Sequence, residues 1–223
     1  MIHVHHLEKS RSHRILWLLE VLALDYDIHV YQRDRKTQQA PEALKNIHPL
    51  GKSPVIMDGE LVIAESGAII DYLIHTYGKE RLQPSADNIA DWVDYRYWLH
   101  YAEGSLMPLL VMQLVFKKIP AQSPWLIKPL AKGIGDKVSQ QFLAPQLKQH
   151  LGFIEDHLAR KENFAGEWPS GADIQMSFPL QAIAATQTLT TYPAIMRFVA
   201  RIDADPAWQR VVERAGPLTM PGE

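Results

Sequence analysis

The 223-residue chain contains no cysteine. Disulfides, thiolate-bound metals and covalent catalysis through a protein thiol are thereby excluded, and any sulfur chemistry must use sulfur brought by a substrate. A strong charge of either sign is also missing. The 23 Lys and Arg against 25 Asp and Glu leave a formal charge of -2, with no clustered basic excess of the kind that phosphate neutralisation in a nucleic-acid complex requires. No run of about 18 apolar residues is present, so no membrane span is expected. The opening MIHVHHLEKS alternates like a strand, where a signal peptide has a basic start and an apolar block. A cytoplasmic protein that binds neither nucleic acid nor membrane is expected. Apolar residues, by contrast, make up 47% of the chain, enough for a sizeable core and, at this length, for two small domains.

Hydrophobic period locates the elements. Residues 2–7 alternate as a strand, Ile15, Leu18, Leu19 and Leu22 recur at helical spacing, and residues 27–31 form a β-branched and aromatic run after a turn at Leu24 and Asp25. A helix between two strands permits a parallel crossover. A short helix is expected over 41–46, with Pro41 suited to its first position. Strands at 54–57 and 61–63 flank Asp58-Gly59, a pair favoured in two-residue hairpin turns. Ile69, Ile70, Leu73, Ile74 and Tyr77 then stripe a helix that stops at Gly78. The order is βαβαββα.

From residue 87 the pattern is helical throughout. An α/β domain at 1–80 followed by an all-α domain at 87–223 is expected, joined by a linker at 78–86 that contains Gly, Pro and Ser. Pro108 should kink or divide the first long helix, and residues 119–129, punctuated by proline, should form an irregular connection. Ser170 and Asp173 have the spacing of a capping box, and Asp205-Pro206 should open a final helix at 207–214.

Three stretches resemble the cytosolic glutathione transferase superfamily. Ser10-Arg11-Ser12-His13-Arg14-Ile15-Leu16-Trp17-Leu18-Leu19-Glu20 is similar to its N-terminal loop and first helix. His48-Pro49-Leu50-Gly51-Lys52-Ser53-Pro54-Val55-Ile56 is similar to its strand-opening segment, and Ala64-Glu65-Ser66-Gly67-Ala68-Ile69 to the start of its third helix. The Ser170 and Asp173 pair resembles the capping box of the family's helical domain. The resemblance covers nearly the whole chain and implies a thioredoxin-like N-terminal domain that binds glutathione, packed on the helical domain. There are two departures: Ser53 stands where a β-branched residue usually precedes the proline, and His48 where asparagine is usual. Neither removes a backbone contact.

The resemblance implies a cis Ser53–Pro54 bond that turns the Ser53 backbone toward an extended ligand, so that the cysteinyl part of glutathione pairs as an added strand. Glu65 and Ser66, at a helix start, would offer backbone N–H groups to the γ-glutamyl carboxylate and the Glu65 carboxylate to its ammonium. Lys52 could meet the glycyl carboxylate. An ordinary thiol titrates near about 8.5, so catalysis at neutral pH needs a donor that favours the thiolate. Ser10 is the first candidate, with Arg11 and the helix N-terminus adding positive potential. Ser12 is the alternative, and could otherwise cap the first helix. No tyrosine ends the first strand, where His5 and His6 stand, so a tyrosine-type mechanism has no support, and mixed-disulfide chemistry is excluded for want of cysteine.

The resemblance places the second substrate against the first long helix, where Tyr97, Trp98, Tyr101, Met107 and Met112 supply aromatic and adaptable surface or, alternatively, helix core; Glu103 is not counted among the site residues. His3 and His5 share a strand face, but no nearby ligand set completes a metal site, and none is expected. Together the residues and the resemblance imply a homodimeric detoxification enzyme that joins glutathione, as co-substrate and without a cofactor, to small hydrophobic electrophiles. A glutathione-dependent peroxidase acting on organic hydroperoxides would use the same thiolate. A non-catalytic relative serving protein interaction is the alternative of a different class, against which the retained Ser53-Pro54 and Glu65-Ser66 pairs argue.

Overall fold

The computed structural model describes residues 1–78, 81–187 and 189–219; residues 79 and 80 of the expected linker lie outside them, as do the last four of the expected helical domain. The first half is a four-stranded sheet in the order β2-β1-β3-β4. Its strands are β1 (Ile2–Leu7), β2 (Tyr26–Tyr31), β3 (Val55–Asp58) and β4 (Leu61–Ala64). Helix α1 (Ser12–Leu22) carries the chain from β1 to the parallel β2, α2 (Glu42–Lys45) precedes β3, and α3 (Ser66–Tyr77) follows β4. Strand β3 runs antiparallel to both β1 and β4. The expected βαβαββα order is the one observed.

The hairpin turn is shifted by one residue from Asp58-Gly59. Asp58 pairs with Leu61, so the two-residue loop is Gly59 and Glu60. Gly59 takes φ +59, the glycine-favouring conformation at the first loop position of one common hairpin turn. Asp58 stays in the strand because its carboxylate accepts hydrogen bonds from the hydroxyls of Tyr72, at 2.8 Å, and Tyr77. Pro41 likewise sits one place before its expected position, as the cap of α2.

Helix α1 is buried on nearly every side, from Ser12 to Leu19 and again at Leu22. A helix that is apolar all round must lie inside, and α1 does so: it packs on the sheet, on α3, and on two helices of the second half, α8 (Gly171–Thr186) and α10 (Pro206–Ala215). Trp17 meets Trp208 edge-on at 5.9 Å between ring centres, with Trp168 at 5.8 Å. One hydrophobic core therefore runs without a break from Ile2 and Val4 through Trp17 to Ile154, Ile174 and Val211.

The second half is helical throughout its regular structure. It contains α4 (Ile89–Tyr101), α5 (Met107–Gln122), α6 (Lys128–Val138), α7 (Ala144–Lys161), α8, α9 (Pro193–Asp203) and α10. Pro108 does divide the first long helix, by way of a π-helical turn, Ala102–Leu106, in which the Met107 N–H donates to the carbonyl five residues back. A second such turn, Ser139–Leu143, precedes α7, and Pro145 follows it as Pro108 follows the first. The irregular connection expected at 119–129 is shorter than that. Helix α5 runs through Pro120 to Gln122 and α6 begins at Lys128. Pro120 leaves the Phe116 carbonyl without its helical donor, and Gly135 of α6 passes so near that carbonyl that a Cβ there would sit 3.2 Å from it. The capping box at the start of α8 is present and buried: Asp173 accepts from the backbone N–H and the hydroxyl of Ser170, both at 2.7 Å, and from the Phe164 N–H at 2.7 Å. Among the described residues no helix is long and apolar enough to cross a membrane.

Candidate active site

A cleft of about 810 Å3 opens between the sheet half and helices α5, α6 and α8. Its sheet-side wall includes the end of β1 at Leu7, the loop that carries Ser10 and Arg11, the stretch after β2 with Arg33 and Gln38, and the segment before β3 with Lys52 and Ser53. The opposite wall is mostly apolar, with Met107, Leu110, Val111, Leu114 and Phe116 from α5 and Phe178 from α8. Polar groups on that side are confined to a few residues such as Gln113, Lys117 and Asp136.

Hydrogen bonds fix the loop between β1 and α1. Arg33 donates to the carbonyls of Glu8 at 3.1 Å, Lys9 at 3.3 Å and Gln38 at 3.0 Å, while the Glu8 carboxylate accepts from the Arg33 N–H at 2.7 Å. Ser10 reaches the cleft, and its Oγ lies 2.8 Å from Ser12 Oγ and accepts from the Ser12 N–H at 3.3 Å. Ser12 lies behind it, fully buried, with its Oγ 2.7 Å from His6 Nδ1. Ser12 does not cap α1 through its side chain; Arg11 is the cap residue. Of the two serines, Ser10 alone lines the cleft.

The Ser53–Pro54 bond is cis, as the resemblance implies. The Ser53 hydroxyl donates to the His5 carbonyl at 2.8 Å and accepts from the Leu7 N–H at 3.2 Å, which locks the segment onto β1. Its own backbone N–H and C=O make no backbone hydrogen bond to the described residues. Pro54 is buried behind it, and Lys52 is exposed on the cleft wall.

Glu65 and Ser66 lie beyond the lining of the cleft but are tied to it. Glu65 is the cap residue of α3, with φ +69, and its side chain makes no capping hydrogen bond to that helix. Ser66 Oγ accepts at 2.8 Å from Arg14, a guanidinium buried to within 1% of full enclosure. Arg14 also pairs with Glu103, and Glu103 accepts from Arg11 Nε at 3.0 Å. Burial works against the Glu103 carboxylate, but Arg14 and then Arg11 outweigh it and hold its pKa below the ordinary glutamate value. Arg14 Nη1 donates to the Gln175 carbonyl at 2.7 Å, whereas the buried Nε has no partner among the described residues. That carbonyl is available because Pro179, inside α8, has no N–H to give it. Spacing and propensity gave no hint of this network. Its signal in the sequence is a lone arginine within an apolar helix and a proline four residues after the acceptor.

The residues expected to face a hydrophobic substrate are divided. Met107 lines the cleft. Tyr97 and Tyr101 do not: they border a shallow surface depression with Trp92, Val93 and Arg96. Trp98 is buried in a cluster with Tyr101, Phe153 and Phe164, and Met112 is half-buried outside the lining. Tyr97 and Tyr101 belong to α4, before the π-helical turn, and Met107 opens α5, after it.

The expectation that no ligand set accompanies His3 also needs correction. The parallel register sets Asp27 beside His3 and His29 two residues on, and their ligand-type atoms all lie within 4.8 Å of one another. These are half-exposed contacts at the opposite end of β1 from Ser10, with His3 and His29 at 3.9 and 3.6 Å from the Asp27 carboxylate. His5 lies on the same face, its Nδ1 2.9 Å from the Tyr31 hydroxyl.

Comparison with known proteins agrees with this architecture. Residues 1–75 match the glutathione S-transferase N-terminal domain. Glutathione S-transferase 3 of Schizosaccharomyces pombe is 35% identical over 225 residues, covering 99% of this chain and 90% of that protein. Glutathione S-transferase 1 of Saccharomyces cerevisiae is 36% identical, with 98% and 97% covered. A crystal structure of a glutathione S-transferase from Actinobacillus pleuropneumoniae superposes with a TM-score of 0.79 at 34% identity, over 98% of this chain and 94% of that one. With the match extending over both halves of the fold, the chain belongs to the glutathione S-transferase family.

Proposed function

We propose that the cleft holds glutathione along its sheet-side wall and directs the thiolate at an electrophilic carbon of a small hydrophobic compound lying against α5 and α8. The observation that carries this reading is Ser10, a residue of the cleft wall whose hydroxyl lies 3.4 Å from that of Ser53 and 2.8 Å from that of Ser12. In this reading the Ser53 N–H and C=O pair with the cysteinyl backbone. The N-terminal N–H groups of α3, to which the cap residue Glu65 makes no side-chain bond, take the γ-glutamyl carboxylate, Glu65 the neighbouring ammonium, and Lys52 the glycyl carboxylate. On binding, the S–H bond breaks and the proton leaves through the open cleft. Ser10 then donates to the sulfur anion, with Arg11 adding positive potential. Lowering the thiol pKa by ~2 units takes about 2.7 kcal/mol of preference for the thiolate. The sulfur then attacks carbon, the leaving group or π-bond takes the displaced electron pair, and no metal or redox cofactor takes part. Positioning and thiolate stabilisation supply the catalysis.

A cytoplasmic, homodimeric detoxification enzyme fits the same reading. Support for the dimer comes from two exposed apolar regions, Leu61 and Val62 on edge strand β4 and Trp92, Val93 and Tyr97 on α4, which would meet if the sheet half of one subunit packed on the helical half of another.

The test is calorimetric titration with glutathione together with the ultraviolet thiolate absorbance of the bound ligand against pH. Binding with thiolate present near pH 7 supports the assignment; no binding at millimolar glutathione overturns it.

A further inference from the structure

We propose that His6 is a positioning residue for this reaction: its Nδ1–H donates to Ser12 Oγ and so orients the two serine hydroxyls that the Ser10 proton points at the glutathione sulfur. The proposal rests on the glutathione reading of the cleft.

The three groups form a single file from the interior to the cleft. His6 and Ser12 are 2% and 0% exposed, and only Ser10 meets the cleft. The two links measure 2.7 Å, from His6 Nδ1 to Ser12 Oγ, and 2.8 Å, from Ser12 Oγ to Ser10 Oγ. Each hydroxyl has one proton, so the chain has two possible directions. In the inward order Ser10 donates to Ser12 and Ser12 to the imidazole, which leaves Ser10 without a proton for an anion. In the outward order the imidazole donates to Ser12, Ser12 to Ser10, and Ser10 to the sulfur. A thiolate requires the second. Neighbouring groups are already committed: the Ser53 hydroxyl donates to the His5 carbonyl, so it can only accept from Ser10, at a long 3.4 Å.

The outward order needs a neutral imidazole with its proton on Nδ1. Burial, with the ring of His13 alongside, pushes the His6 pKa down to about 4 and keeps it neutral at physiological pH. His13 meets it edge-on at 4.9 Å and is itself occupied, its Nε2–H donating to the Gly216 carbonyl at 3.2 Å. Among the described residues His13 is the titratable group that acts on His6. For the same reason His6 is not the base that removes the thiol proton. It acts through hydrogen-bond direction, and aligned chains of this kind strengthen each member.

The experiment compares the thiolate titration of bound glutathione, and kcat against KM, in the wild-type protein and in His6→Phe, His6→Asn and Ser12→Ala. Phenylalanine keeps the ring and removes the donor; asparagine restores an N–H near the Nδ1 position. The expected result is a bound-thiol pKa raised by about one unit in His6→Phe and in Ser12→Ala, the size of one modest hydrogen bond. Turnover near pH 7 should fall up to tenfold, KM for glutathione should change little, and His6→Asn should recover most of the loss. If His6→Phe does not fold, Ser12→Ala against wild type decides. A wild-type thiolate whose pKa is unmoved in the variants overturns the role of His6 and leaves the active-site assignment standing. Absence of any bound thiolate in the wild-type protein overturns both.

Discussion

On the sheet side of the cleft, Ser10, Arg11 and Ser53 each make a specific hydrogen bond within the protein. On the helical side, Met107, Leu110, Val111 and Leu114 project from one helix with apolar side chains that have no directional partner to seek. The first wall is pre-organised and therefore selects one chemical group in one orientation. The second offers apolar area and adaptable shape without directional contacts. Glu103 belongs to the helical half yet bonds Arg11 and Arg14 of the sheet half, so it joins the two.

Removing that joint should have the largest effect. Glu103→Ala leaves the buried Arg14 without its counter-charge, and the expected loss is about 3–5 kcal/mol of stability by urea unfolding, with a smaller loss in Glu103→Gln. An equal cost for Ala and Gln would show that packing and not charge links the walls.

Next in size is Ser10→Ala on the pre-organised wall. Turnover should fall by about 10²-fold or more, as for loss of one donor to a developing anion, while glutathione affinity measured by calorimetry stays within a few-fold. Retained turnover with an unchanged thiolate pKa would move the assignment to Arg11 or Ser12.

Acid sensitivity distinguishes the interior behind that wall. His6 has a folded pKa near 4, below its unfolded value of about 6.5. The unfolded chain therefore takes up a proton first. The contribution of neutral His6 is complete above about pH 6.5 and is lost as pH falls toward 4, by roughly 3 kcal/mol at most. Asp173 acts in the opposite sense, because burial raises it to about 6 despite three hydrogen bonds to its charged form. Its cost to the folded state is relieved as pH falls through 6. Comparing urea unfolding of wild type and His6→Asn at each pH isolates the histidine: the advantage of wild type should shrink between pH 6.5 and 4, and a constant difference would refute the assignment.

The smallest effect is expected on the apolar wall. Leu114→Ala should change kcat/KM for a bulky electrophile by about tenfold, the size of a few methylenes in a pocket, and leave KM for glutathione unaltered. A matching change in the glutathione KM would mean that the two walls do not act separately.

The residues of the polar wall are expected from the resemblance of two short stretches, 10–20 and 48–56, and not from spacing or period. Ser10 and Arg11 lie in a loop between a strand and a helix, and Lys52-Ser53-Pro54 immediately precedes a strand. Tyr97 and Tyr101 are expected at the second substrate only because the resemblance places it against the first long helix, and they lie outside the cleft lining, before the π-helical turn at residues 102–106. Pro108 marked a break but could not state its geometry. The role of Arg14 is not visible in local sequence, since its partners come from positions 66, 103 and 175, and no local pattern brings those together. The His3, Asp27 and His29 cluster was missed for the same reason: only strand register makes neighbours of residues 24 and 26 positions apart.

Local sequence thus determined the element order, the capping box at Ser170 and Asp173, the hairpin within one residue, and the loop that offers Ser10. Each depends on backbone propensity or periodicity acting over a few residues, which persists whatever the chain packs against. Tertiary structure alone decided that Ser10 and not Ser12 meets the cleft, that Pro179 frees a carbonyl for a buried arginine, and that the second wall is α5 and not α4. Those outcomes depend on which elements bury one another, and a buried charge or a hydroxyl chain acquires its role only from partners that distant parts of the chain bring to it.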